Sequence, residues 1–133
     1  MFLYLLNEKL RISFQKLAIK AAEANDIVDV REKNLLKAFA LEMNIEPLYE
    51  TDSSLEVLFD DLKKHSTKKE LKIILLELLG MMYADRSYDE KEHSFMAKVA
   101  TNFGESEAFL VRLESILLEY KELCGKIGDL ILS

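Results

Sequence analysis

Tryptophan is missing from this chain of 133 residues, and cysteine, proline, histidine and glycine are scarce, at one, one, two and four respectively. With Cys124 alone, no intrachain disulfide can form and no multi-cysteine zinc site can be assembled, which points to a reducing, cytoplasmic interior. Pro47 is the sole proline and glycine is confined to positions 80, 104, 125 and 128, so few points interrupt a helix. Basic charge is in deficit too. The 24 acidic against 18 basic side chains leave a net charge of -6, which repels phosphate backbones and anionic lipid and argues against nucleic-acid and membrane-surface roles. No apolar run reaches membrane-spanning length: Met1 to Leu6 is stopped by Asn7, Glu8 and Lys9, and no basic leader precedes it. Nor is there a Pro-, Gly- or Ser-rich linker, so residues 1–133 read as one domain.

What is abundant is Leu, Lys, Glu and Ala in helical register, and the chain reads as all-α, a single bundle of about seven helices. Leu3, Leu6, Leu10, Phe14, Leu17 and Ala21 recur at threes and fours and predict one helix from about Phe2 to Ala24. A second spans Val30 to about Met43, with Asn44 as a left-handed stop and Ile45 to Thr51 as connector. Ser53 or Ser54 opens a third that buries Leu55, Leu58, Phe59 and Leu62 and ends near His65. Thr67 and Glu70 form a capping-box pattern that launches a strongly apolar, central helix to about Ala84. The next runs from Glu90 to Phe103 and stops at Gly104, and Phe109, Leu113, Ile116, Leu117, Tyr120 and Leu123 mark another. Gly125 and Gly128 loosen its end, leaving Lys126 to Leu132 as a short last helix over an open side of the bundle.

Shifted by sixty residues, the segment Ala24 to Asn44 overlies Ala84 to Gly104. Ala24 meets Ala84, Asn25 meets Asp85, Asp29 meets Asp89, Glu32 meets Glu92, Ala40 meets Ala100, and the stops Asn44 and Gly104 coincide. Each copy reads as a helix end, an acidic turn and a helix start. Two halves, about 1–65 and 66–133, would then pack as helical hairpins around a pseudo-twofold axis.

The acidic turns admit two readings. Asp85, Asp89 and Glu92, mirrored by Asp26, Asp29 and Glu32, form a pair of carboxylate sets that suit a hard divalent cation. An Asp followed three residues later by Glu is also a capping box, which is stabilising at a helix start without any ligand and is the stronger reading. An EF-hand is excluded, because its first, third and sixth positions would be Met81, Tyr83 and Arg86. Glu90 and His93 make a single Glu-x-x-His, whereas a di-iron bundle needs two, and His65 has Leu62 three before it; His93 reads as solvated. Cys124 reads as a buried structural thiol, and Lys63, Lys64, Lys68 and Lys69 as a solvated basic corner. No catalytic residue and no cofactor-binding motif is legible.

The phrase Met82-Tyr83-Ala84-Asp85-Arg86-Ser87-Tyr88-Asp89-Glu90-Lys91-Glu92, with its weaker copy from Ala24 to Glu32, resembles the TerB-like family, the tellurite-resistance helical domain related to the N-terminal region of DjlA-type co-chaperones. That resemblance implies an all-α fold of about seven helices with internal duplication. It also implies cation-binding positions at Asp85, Asp89 and Glu92, with Asn25, Asp29 and Glu32 opposite. The chain departs from the family at the turn glycine, replaced by Arg86 and Asp26, and at Asn25; Arg86 puts positive charge beside any cation. Two functions follow as expectations. One is a non-enzymatic TerB-like cytoplasmic module in a tellurite, metal-ion or stress response, acting through a protein partner and a weakly held divalent cation. The other is a helical adaptor or homo-oligomer whose acidic turns are purely structural, with Phe2, Leu3 and Tyr4, or Ile127, Leu130, Ile131 and Leu132, as partner surface.

Overall fold

The computed structural model describes residues 1–24, 30–84 and 88–133. Among them are six α-helices and no strand: α1 (Glu8–Glu23), α2 (Val30–Met43), α3 (Leu55–His65), α4 (Lys68–Ala84), α5 (Glu90–Asn102) and α6 (Glu107–Leu132), preceded by a 3-10 turn at Leu3–Leu5. The all-helical bundle is as expected; six α-helices and a 3-10 turn stand among the described residues where about seven helices were expected.

The first correction lies at the beginning of the chain. Leu6 is extended and the Asn7 side chain accepts the Lys9 N–H at 3.0 Å, so α1 starts at Glu8 rather than Phe2. Leu3 and Leu6 still enter the core, because a 3-10 turn satisfies the same apolar spacing. Two carboxylates hold this turn: Glu77 accepts the Phe2 N–H at 2.7 Å, and Glu42 accepts the Leu3 N–H at 2.7 Å. Leu3 is therefore not a partner surface, although Phe2 and Tyr4 are exposed.

The second correction is at the other end. Gly125 and Gly128 do not break α6, which runs unbroken for 26 residues. Glycine inside a helix costs about 1 kcal/mol relative to alanine, a penalty that flanking Leu, Glu and Lys can outweigh, and neither glycine adopts the left-handed conformation that would end a helix. No separate last helix covers the bundle. Leu130 and Leu132 are instead 82% and 85% exposed.

α1 packs on α2, α3 and α4, while α4 packs on α5 and α6 as well, so α1 and α4 form the centre. Phe14, Leu17, Ile74, Leu75 and Leu78 are fully buried there. Phe14 meets Phe39 of α2 edge to face at 5.6 Å, and Phe59 of α3 meets Phe103, just after α5, in the same way at 6.0 Å. Polar clasps complete the join. Arg11 donates to the carbonyl of Met43 at 2.8 Å, and Glu70 accepts from the backbone N–H of Asn7 at 3.0 Å.

Several boundaries recur sixty residues apart. α1 and α4 begin at Glu8 and Lys68, and α2 and α5 at Val30 and Glu90. Asn44 and Gly104 both have positive φ, 57° and 78°. Ile45 donates to Ala40 and Asn44 to Leu41, just as Glu105 donates to Ala100 and Gly104 to Thr101. These are two Schellman stops of the same form. The third helices differ, since α3 has 11 residues and α6 has 26.

Candidate functional site

The start of α5 is closed by a cap. Asp89 accepts the Glu92 N–H at 2.9 Å while Glu92 Oε1 accepts the Asp89 N–H at 3.2 Å, so each carboxylate satisfies a backbone donor at the start of α5. Of the other acidic-turn residues, Asp26, Asp29 and Asp85, with Asn25 and Arg86, lie outside the described residues. Glu32 is in the first turn of α2, the place Glu92 has in α5. Among the described residues no three of His, Cys, Asp and Glu converge as a metal site.

The structure does bring the helix ends and starts that flank the two acidic turns to one place. A cavity of about 290 Å³ opens where the ends of α1 and α4 meet the starts of α2 and α5. Its lining includes Ala21 and Met81, Ala22 and Met82, and Glu32 and Glu92, three pairs each sixty residues apart. Both glutamates are buried, to 9% and 1% exposure. The small side chains Ala21 and Ala22 leave the space that Met81 and Met82 border from the other half.

Beside the second elbow lies a cluster that sequence spacing did not reveal. Tyr88 donates its phenolic hydrogen to Glu114 of α6, and His93 Nδ1 lies 2.6 Å from the same carboxylate oxygen. The Tyr83 ring stacks on Tyr88 at 4.6 Å. Burial, and then the hydrogen bond to Glu114, push the Tyr88 phenol far above its ordinary range; burial and then the Glu114 charge raise Tyr83 less. Tyr88 therefore stays a protonated donor, and the cluster ties the start of α5 to α6. His93 is partnered rather than simply solvated. A signal existed: Glu114 adjoins Leu113 and Leu117 on the stripe that α6 turns toward the body.

Along α6 the apolar stripe outruns the body. Phe109, Leu113 and Leu117 pack against the core and Leu110 is fully buried, but Ile116, Tyr120, Leu123, Ile127, Leu130 and Ile131 are about half or more exposed. Beneath it a groove of about 540 Å³ runs between α4 and α6, bordered by Phe2, Leu76, Gly80, Tyr83, Leu117 and Tyr120. Cys124, expected to be buried, is exposed on this stretch, because the body ends short of it. The lysines at 63, 64, 68 and 69 are exposed, and Lys63 and Lys64 stand in the last turn of α3, where positive charge is favourable.

Among the described residues no helix is long and apolar enough to cross a membrane. A comparison with known proteins finds no family model, no curated protein and no solved structure that matches the chain.

Proposed function

We propose that the chain is a non-enzymatic, TerB-like cytoplasmic module, made by duplication of a helix-elbow-helix unit, that acts by protein contact along α6 and serves a tellurite, metal-ion or stress response. In this reading the acidic elbows are structural. The observation that carries it is the row of exposed apolar side chains from Ile116 to Leu132 above an apolar groove, on a helix whose first half is anchored by Leu110 and Glu114. Soluble surfaces leave large apolar patches where a partner sits. The test places a photo-reactive amino acid at position 123 in cells, with exposed Lys37 as the control position. A polypeptide adduct at 123 and none at 37 is expected. Equal labelling at both sites, or none at either, removes the reading.

A second reading adds a weakly bound divalent cation between the elbows, and draws on Glu32 and Glu92 facing one cavity from opposite halves. Calcium or manganese titration separates the two. Neither heat nor a change in melting temperature at millimolar ion ends the cation reading.

A further inference from the structure

We propose that the partner of α6 is the α6 of a second copy of this chain, laid antiparallel, with the exposed end of each helix seated beside the groove of the other. The inference rests on the protein-contact reading above and names its occupant. Leu113, Ile116, Tyr120, Leu123, Ile127 and Leu130 follow intervals of three and four without interruption, the a and d positions of a heptad seam. Leu117, Cys124 and Ile131 widen that seam on one flank. The other flank carries Glu119 and Lys126, both exposed.

Charge decides the direction. In an antiparallel pair, a positions of one helix layer against d positions of the other, so Ile116 meets Ile127 of the second copy and Tyr120 meets Leu123. The same register sets Glu119 beside Lys126 of the second copy, and by symmetry Lys126 beside Glu119, giving two opposite-charge pairs at the rim. A parallel pair sets Glu119 against Cys124 and Lys126 against Ile131, which compensates neither charge. Rim charges of this kind select orientation more than they add affinity.

Area and shape agree with that occupant. A fully covered aliphatic side chain corresponds to about 100 Å², so the exposed parts of the seam residues offer on the order of 350 Å² per copy. The groove walls at Phe2, Gly80 and Tyr83 extend this toward the roughly 800 Å² per partner of a stable interface. Gly80 is the floor. A Cβ built there meets nothing within 4 Å, so the space above the glycine is open to an incoming side chain.

Sedimentation equilibrium of the full chain across a wide concentration range should show a dimer of the 15.4 kDa chain. Leu123→Glu, which puts a charge in the seam at an exposed position, should weaken association by at least about a hundredfold. Glu119→Lys alone should weaken it about tenfold, and Glu119→Lys with Lys126→Glu should restore it. Orientation is read by mixing two single-cysteine proteins under oxidised glutathione, Tyr120→Cys with Cys124→Ser and Leu123→Cys with Cys124→Ser. Mixed 120-to-123 disulfides should dominate.

Like-with-like disulfides overturn the antiparallel arrangement. A chain monomeric at every concentration overturns self-pairing, and if position 123 still captures a different polypeptide, the protein-contact reading survives it. If nothing is captured either, both fall together.

Discussion

α3 and α6 each follow a pair of helices whose starts recur sixty residues apart, and they treat the same kind of side chain in opposite ways. α3 turns Leu58, Phe59 and Leu62 into the core within 11 residues and is finished where its apolar face is finished. α6 buries Leu110, ties Glu114 to Tyr88 and His93, packs Leu117 against the core, and then continues for about four more turns with its apolar face uncovered. The helices before them are much alike: α1 and α4 start sixty residues apart, as do α2 and α5, and the stops at Asn44 and Gly104 share their hydrogen bonds. The contrast between α3 and α6 separates two jobs. The matched parts build the body, and the unmatched length of α6 is surplus to it.

That contrast is broken or upheld most directly by truncating one leucine on each helix. Leu62→Ala, at a fully buried site, should cost about 2–5 kcal/mol in urea unfolding, the transfer loss plus the cavity left behind. Leu123→Ala, at a site 56% exposed, should change the stability of the monomer by no more than about 0.5 kcal/mol when measured at low concentration. Equal losses at both sites would mean that α6 is as much a part of the body as α3.

α3 is tied to α1 through Asp61, which accepts from Ser13, and α6 is tied to the start of α5 through Glu114. Glu114→Ala removes the acceptor of both Tyr88 and His93 and should cost about 1–3 kcal/mol, with faster hydrogen exchange along α6 than along α4. Where the halves match, smaller and opposite effects sharpen the comparison. Gly104→Ala forces a Cβ into a left-handed backbone and should destabilise by about 1 kcal/mol; Asn44→Gly at the equivalent stop should be neutral or slightly stabilising.

Much of this was legible because helix signals are local. Asn44, Gly104, Ser54, the Thr67 and Glu70 box and the Asp89 and Glu92 box all act on backbone groups within four residues, so their spacing alone places α2, α3, α4 and α5. The 3-10 turn was not legible, since Leu3, Leu6 and Leu10 keep a helical interval whether or not Asn7 interrupts it. The meeting of His93 with Glu114, 21 residues away, depends on how α5 lies on α6. Cys124 and the end of α6 show the deepest limit: periodicity tells which side chains share a face, and says nothing of how far the body beneath that face extends.

The smallest expected effect concerns the capping box at the start of α4. Glu70 accepts from Thr67 and also from both the backbone and the side chain of Asn7, so it joins the start of α4 to the start of α1. Burial works against the Glu70 anion, but the N–H donors of Thr67 and Asn7 outweigh it and hold the carboxyl below the ordinary glutamate value of about 4.3. A carboxyl depressed by folding stabilises the folded chain fully above its unfolded pKa, and loses that contribution as pH falls through the lower, folded one. Melting temperatures between pH 7 and pH 5 should therefore be flat with respect to this group, and should decline below about pH 4. Glu70→Gln keeps an acceptor without the titrating charge: it should melt lower than the parent at pH 7 and close the gap as the pH falls. A gap that stays constant down to pH 3 would show that the join between α1 and α4 does not depend on the charge of Glu70.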